Sequence, residues 1–175
     1  MNLTNFDIRL KITSKIFFNM TIELITIGKT EDKYLLEGLA VYLKRLKHYI
    51  NFSLEEIPAL KAGSINFLKQ KEKEGELLLA KITDSDFLVL LDENGLTPDS
   101  VEFSSFVQSQ MNSGRKKIIF IIGGPFGFSD KVYQRANYKL SLSKMTFSHQ
   151  MVRLFFVEQL YRAMTILKGE KYHHV

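Results

Sequence analysis

The chain has 175 residues, of which 45% are hydrophobic and 25% charged, and it contains no cysteine. This composition predicts a globular domain with its own core, and it excludes disulfides and thiolate chemistry, which fits a reducing, cytoplasmic location. The net charge of +5 permits an anionic partner such as nucleic acid without requiring one. No apolar run approaches the roughly 20 residues that span a bilayer, so the sequence predicts no membrane partner.

The first 19 residues differ in pattern from the rest of the chain. They scatter three basic residues among apolar ones, without the unbroken apolar region or the small-residue cleavage site of a secretory signal. Met20 then opens the strand-like run TIELITI. We therefore predict that translation starts at Met20, or that residues 1–19 are an extension outside the fold, which leaves residues 20–175 as one domain.

Strand-like and helical patterns alternate from Met20 onward. The predicted strands are 21–27, 52–57, 87–92, 117–123 and 138–143, and the predicted helices are 34–46, 64–82, 98–112, 129–137 and 148–168. This alternation predicts an α/β fold, with a mostly parallel sheet and helices on both faces. Ligands of such sheets bind beyond the carboxyl ends of the strands, which selects the loops after Leu91, Ile122 and Ser141.

Four short signals refine these boundaries. Ser64 is a predicted N-cap, and Thr97 followed by proline predicts the cap and first residue of another helix. Asn94-Gly95 predicts a turn, and Gly169 can end the last helix.

The glycine-rich stretch IIGGPFGFSD (121–130) joins a predicted buried strand to a predicted helix. Adjacent glycines let a backbone pass close to a ligand, but a tight turn also favours glycine and proline. The spacing Gly123-Gly124-x-x-Gly127 matches neither the dinucleotide-binding fingerprint nor the Walker pattern. A ligand loop and an ordinary turn remain equally open at this point.

The segment from Ser143 to His149 carries hydroxyls, a lysine and a histidine, with no glycine or proline. Backbone groups at an irregular strand exit can hold an adenine edge or an amino-acid group, and Lys144 can meet a phosphate. The alternative is that Thr146 or Ser148 caps the last helix. The wide apolar stripe of that helix is typical of a core face and is also wide enough for a dimer face.

Charged residues in the last helix and the tail suggest further chemistry. Arg153 lies near the helix start, where the dipole disfavours a cation, which predicts a phosphate or carboxylate partner. Glu158 and Arg162 have the spacing of an ordinary surface pair. The chain ends in Tyr-His-His-Val, and histidine is the usual general base near neutral pH, whereas two histidines alone predict no metal site.

Several of these motifs together resemble the RlmH family of SPOUT methyltransferases. They are GGPFG, LSLSKMTFSHQMVR, EQLYRA and GEKYHH, together with ITIGK, KYLLEGLAVYLKRL and KEKEGELLLAKI. The resemblance covers nearly all of residues 20–175. It implies a C-terminal trefoil knot that binds S-adenosylmethionine, a homodimer, and methylation of N3 of a pseudouridine in a stem-loop of 23S rRNA on the assembled ribosome.

The same resemblance implies roles for individual residues. The family's cofactor contacts match Leu91, Gly123, Leu142, Ser143, Lys144, Met145, Thr146 and Phe147. Its substrate and catalytic region matches Tyr172, His173 and His174, although many relatives carry an arginine or lysine at the position of His174. The implied candidates are His173 as the base and Tyr172 as the group that orients the ring.

Two other functions compete with this one. A non-catalytic ribosome-binding or assembly factor could have the same fold, and an ordinary doubly wound nucleotide-binding enzyme is disfavoured by the missing glycine fingerprint. For either rRNA-binding function, the predicted phosphate contacts are Arg115, Lys116, Lys117, Arg135, Lys139 and Arg153.

Overall fold

The structure is a computed structural model that describes residues 20–60 and 66–172. The predicted extension at 1–19, the predicted cap Ser64, and the tail histidines His173 and His174 lie outside these residues. Within the described ranges, no helix is long and apolar enough to cross a membrane.

Strands and helices alternate along the described residues. They are β1 (Thr21–Ile27), α1 (Lys33–Leu46), β2 (Asn51–Ile57), α2 (Phe67–Leu79), β3 (Phe87–Leu96), α3 (Ser100–Asn112), β4 (Lys117–Ile122), α4 (Asp130–Arg135), β5 (Tyr138–Leu140) and α5 (Met151–Leu167). The strands form a parallel sheet in the order β2-β1-β4-β3-β5. This confirms the predicted α/β fold, while the trefoil knot stays a prediction.

Both faces of the sheet are buried, as the continuous apolar runs predict. In β4, Ile118 and Phe120 point into a core formed with α1, α3 and α5. Ile119 and Ile121 point into a second core, formed with α2 and α4. The Phe120 ring lies 4.6 Å from the ring of Phe156 on α5, so the last helix packs directly on the central strand. Helices on both faces are thereby confirmed.

The predicted turn at Asn94-Gly95 is wrong, because β3 continues to Leu96 and pairs there with Leu140 after an irregularity in register. Gly95 is needed for close approach of two backbones. A Cβ atom added to it would lie 2.6 Å from the carbonyl carbon of Leu140. The glycine therefore allows β3 to lie against β5 instead of reversing the chain.

Two predicted helix starts are also wrong. Helix α3 is capped by Asp99, which forms a reciprocal capping box with Glu102, so Thr97 is not the cap. Helix α2 begins after Asn66, whose side chain accepts a hydrogen bond from the amide of Leu68. In both cases the side chain nearest the first turn takes the capping role.

The C-terminal elements are shorter than predicted. Strand β5 ends at Leu140 instead of residue 143, and α4 ends at Arg135 instead of residue 137. Helix α5 ends at Leu167, and Gly169 has a φ angle of +66°, which confirms its predicted role at the helix end. The early end of β5 leaves an extended segment between the sheet and α5.

Candidate active site

A cleft of about 650 Å³ opens at the carboxyl ends of β3, β4 and β5. Its volume is in the range of small-molecule and cofactor sites. Of the eight residues predicted to contact the cofactor, seven line it: Leu91, Gly123, Leu142, Ser143, Met145, Thr146 and Phe147. Lys144 is not among its lining residues. The three strand exits selected from the sequence thus meet in one place.

The glycine loop forms one wall of the cleft and is a closed turn. The amide of Gly127 donates to the carbonyl of Gly124 at 3.1 Å, and Gly127 has a φ of +72°. A Cβ atom added at Gly123 would lie 3.1 Å from the Phe128 ring and 3.3 Å from the Gly127 carbonyl oxygen. A side chain at position 123 would therefore have to displace the Phe128 ring or the Gly127 carbonyl by a few tenths of an ångström, which would disturb this wall of the cleft.

The hydroxyls of the opposite wall mostly stabilise the local backbone. Ser141 donates to the carbonyl of Ser143 at 2.8 Å, and the Ser143 hydroxyl accepts from the amide of Met145 at 2.9 Å. The Ser148 hydroxyl accepts from the amide of Met151 at 3.2 Å, so Ser148, one of the two predicted caps, meets the first residue of α5. These bonds give a segment without regular structure a defined shape.

Sequence reasoning missed a hydrogen-bonded pair in the cleft lining, Asp92 and Tyr133. The Tyr133 hydroxyl donates to a carboxylate oxygen of Asp92 at 2.5 Å, and the other oxygen accepts from the amide of Asn94 at 2.8 Å. Burial and this hydrogen bond raise the pKa of Tyr133, so it stays a neutral phenol at physiological pH. Asp92 is the last residue of the predicted strand 87–92, and that position was the available signal. With Glu93 it gives the cleft a negative charge.

Arg153 is fully buried and contacts four groups. It donates to the carbonyls of Ile27 at 2.9 Å and His149 at 3.0 Å, to the Thr30 hydroxyl at 2.9 Å and to the Glu56 carboxylate at 3.2 Å. Burial lowers the pKa of Arg153, and the neighbouring Glu56 opposes that effect. The predicted carboxylate partner is confirmed, but the predicted phosphate contact is wrong because the guanidinium is out of reach of solvent.

Other members of the predicted phosphate-binding set also have protein partners. Lys117 binds the Glu23 carboxylate at 2.6 Å, and Arg135 donates to the carbonyls of Thr83 and Asp86 at 2.6 and 2.9 Å. The exposed members are Arg115, Lys116 and Lys139.

Tyr172 is held against the middle of α5 by a hydrogen-bond network around Glu158. Arg162 binds this carboxylate at 2.7 Å, and the Tyr172 hydroxyl donates to the same oxygen at 3.0 Å and lies 3.4 Å from the Tyr42 hydroxyl. The Arg162 guanidinium also covers the Tyr172 ring at 4.8 Å. The predicted surface pair of Glu158 and Arg162 is thus a half-buried anchor for the tail.

Tyr172 does not line the cleft of its own chain. Burial, followed by its hydrogen bonds to Tyr42 and Glu158, raises the pKa of Tyr172, so its hydroxyl is a neutral donor at physiological pH. Among the predicted site residues that the structure describes, Tyr172 and Lys144 are those that it does not bring to the cleft. The other two tail residues, His173 and His174, lie outside the described part of the chain.

Comparison with known proteins identifies the family. The family described as Predicted SPOUT methyltransferase matches residues 20–173. The chain belongs to the SPOUT methyltransferase family. Two relatives named Ribosomal RNA large subunit methyltransferase H, from Christiangramia forsetii and Flavobacterium psychrophilum, are 59% identical to it over 156 residues, which cover 89% of this chain and 99% of each relative. A protein of the same name from Cytophaga hutchinsonii is 57% identical over 155 residues, which cover all of that protein.

The family match spans all of the described residues, so the α/β sheet and cleft are those of a SPOUT methyltransferase. Among the residues that the structure describes, no group of three or more His, Cys, Asp or Glu side chains is arranged to hold a metal ion.

Proposed function

We propose that this SPOUT methyltransferase transfers a methyl group from S-adenosylmethionine to N3 of a pseudouridine in 23S rRNA on assembled cytoplasmic ribosomes. The observation that carries the proposal is the cleft, which collects seven of the residues that match the family's cofactor contacts. The names of the relatives, which are methyltransferases of large-subunit ribosomal RNA, support the choice of RNA as the substrate.

The residues of the cleft fit S-adenosylmethionine in size and in charge. The cofactor carries a sulfonium and an ammonium group, and the Asp92 and Glu93 carboxylates supply negative charge to the cleft. Leu91, Leu142 and Val152 offer apolar surface to an adenine ring. When bound, S-adenosylmethionine supplies an electrophilic methyl group. The protein's contribution is then to orient the acceptor base and to accept a proton.

The tail residues are proposed to orient the acceptor base and to accept its proton. N3 of a uracil ring is protonated at neutral pH, so a base has to accept the proton as the nitrogen attacks. His173 is the proposed base, because histidine titrates near neutral pH. Tyr172 is proposed to orient the ring through its aromatic side chain, because its hydroxyl proton is already donated to Glu158. His174, the third tail residue, is proposed to lie against the RNA.

We propose that a homodimer brings the two parts together, with the tail of one subunit at the cleft of the other. In a single chain Tyr172 is anchored on α1 and α5 instead of at the cleft. Apolar side chains next to the cleft are exposed, including Met145, Phe147 and Phe155, with the rings of the two phenylalanines 4.7 Å apart. Such a patch beside an incomplete site is the surface expected of a subunit interface.

The proposal is tested by incubating the full chain with ribosomes from a strain that lacks this modification and with labelled S-adenosylmethionine. Mass mapping of the 23S rRNA should find one added methyl group on a single pseudouridine-containing fragment. Ribosome binding without any transfer would instead support the non-catalytic assembly factor. Labelling of another RNA, or of protein alone, would contradict the proposed substrate.

A further inference from the structure

Two exposed phenylalanines lie together at the mouth of the cleft. Phe126, at the tip of the glycine loop, lines the cleft and is 45% exposed, and Phe67, the first residue of α2, is 56% exposed. Their ring centroids are 6.2 Å apart, with the planes inclined at 46°. The two residues come from elements nearly 60 positions apart, so this pairing is a product of the fold.

Neither ring is part of the hydrophobic core. Phe67 and Phe126 belong to neither of the two core clusters of the described residues. The glycine loop is closed by the hydrogen bond from Gly127 to Gly124 and is held to the core by the buried ring of Phe128. A polar residue at either exposed position would leave these contacts intact, so folding does not explain the pair.

Positive charge accompanies the two rings. Lys71 lines the cleft and lies one helical turn after Phe67, on the same face of α2. Lys69 and Lys73, on the same helix, are exposed. Within the described ranges, none of the three lysines is paired with a carboxylate. Helix α2 also carries Glu72, Glu74 and Glu76, so its charges balance, and Lys71 is the charged residue of this helix that lines the cleft.

We infer that Phe67, Phe126 and Lys71 form a binding site for one unpaired nucleotide of the ribosomal RNA. Aromatic rings next to lysines are the usual platform for single-stranded nucleic acid, with the base stacked on the ring and the phosphate near the cation. We call these three residues the aromatic lip. This inference rests on the proposed function, and it adds a second contact that holds a flanking nucleotide while the target base enters the cleft.

Charge distinguishes this occupant from the adenine of the cofactor. The one anionic group of S-adenosylmethionine is the carboxylate of its amino-acid end, far from the adenine, so a lysine beside a stacked adenine would have no anion of the cofactor to bind. A phosphodiester is attracted by the same lysine. The exposure of both rings also suits a ligand that arrives from outside, as a strand of ribosomal RNA does.

The test compares ribosome affinity with cofactor affinity for five variants: Phe126→Ala, Phe67→Ala, Phe126→Trp, Lys71→Ala and, as the matched control, Leu77→Ala. Leu77 is 40% exposed near the other end of α2 and outside the cleft. Thermal unfolding verifies that each variant folds. Ribosome affinity is measured by filter binding at several salt concentrations, and S-adenosylmethionine affinity by calorimetry.

Each alanine substitution of a lip phenylalanine should weaken ribosome binding by about 5- to 150-fold, because stacking on an aromatic ring is worth ~1–3 kcal/mol per base. Phe126→Trp should bind like the wild type, and so should the Leu77 control. Lys71→Ala should lower the slope of log affinity against log salt by about one phosphate contact. Cofactor affinity should change by less than about twofold in Phe67→Ala and Leu77→Ala, whose side chains do not line the cleft.

Two results would overturn the inference. Wild-type ribosome affinity in both phenylalanine variants would show that no nucleotide stacks on the lip. A loss of cofactor affinity in those variants would assign the lip to the adenine ring. Failure of the proposed function itself is distinguishable, since the wild-type chain would then also fail to bind ribosomes or to methylate them.

Discussion

The cleft and the tail anchor are built in opposite ways. The cleft is made by backbone geometry: glycines, serines and a segment without regular structure lie where three parallel strands end. The tail anchor is made by large side chains, with one carboxylate, Glu158, holding an arginine and a tyrosine. Under the proposed function, cofactor binding and proton transfer are therefore assigned to different parts of the chain. Each part should therefore be open to change without damage to the other.

The largest expected effect comes from filling the cleft. Thr146→Trp adds bulk at an exposed position that lines the cleft. Affinity for S-adenosylmethionine, measured by calorimetry, should fall by at least about 100-fold, or ~2.7 kcal/mol. Gln108→Trp, on the exposed side of α3, is the matched control and should bind normally. Unchanged affinity in Thr146→Trp would remove the cofactor from this cleft.

A substitution in the tail is expected to lower turnover strongly and to leave cofactor affinity unchanged. His173→Ala should lower the turnover of methyl transfer by about 100-fold or more, which is the usual contribution of a general base. Cofactor affinity should change by less than about twofold, because the cleft is intact. Single-turnover transfer with ribosomes measures the first quantity and calorimetry the second. A variant with normal turnover would exclude His173 from the mechanism.

A smaller effect is expected from the tyrosine that anchors the tail. Tyr172→Phe keeps the ring and removes the donor to Glu158, so turnover should fall by about 5- to 10-fold, as expected for the loss of one hydrogen bond of ~1 kcal/mol or slightly more. Tyr34→Phe, at an exposed tyrosine of α1, is the control. Because the pKa of Tyr172 is raised, both variants and the wild type should show the same pH profile between about pH 7 and 10. A step that appears only in proteins with Tyr172 would mean that its phenolate acts as a base.

The smallest effect is expected at Lys144, where the sequence predicts a cofactor contact and the structure places the residue outside the cleft lining. Lys144→Ala should alter S-adenosylmethionine affinity by less than about twofold. A tenfold loss would restore Lys144 to the cofactor site and would show that the side chain turns inward when the cofactor binds.

Local sequence patterns predicted most of the fold because its strands are buried on both faces. The run KIIFII contains no polar interruption after its lysine, and it forms the central strand β4 with side chains in both cores. Asn94-Gly95 misled for a physical reason. A glycine required by close approach of a distant strand has the same local signature as a glycine in a turn.

Long-range pairings account for the site features that sequence reasoning missed. Tyr133 meets Asp92 across 41 positions, and Arg153 meets Glu56 across 97. The dipole argument at Arg153 predicted that an anion would be there, but only the fold shows that the anion is the half-buried Glu56. Similarly, the spacing of Glu158 and Arg162 revealed a pair, and the third member, Tyr172, became visible only when the tail was placed against α5.

The central claim is that one subunit's cleft works with the other subunit's tail. It is tested most directly by mixing two inactive variants, Thr146→Trp and His173→Ala, under conditions that allow subunits to exchange. Random pairing gives heterodimers in which one of the two sites has both an intact cleft and an intact tail. The account predicts recovery of about a quarter of the wild-type methyl-transfer rate on ribosomes. If the mixture stays as inactive as the separate variants although heterodimers form, each tail serves its own cleft and the claim is contradicted.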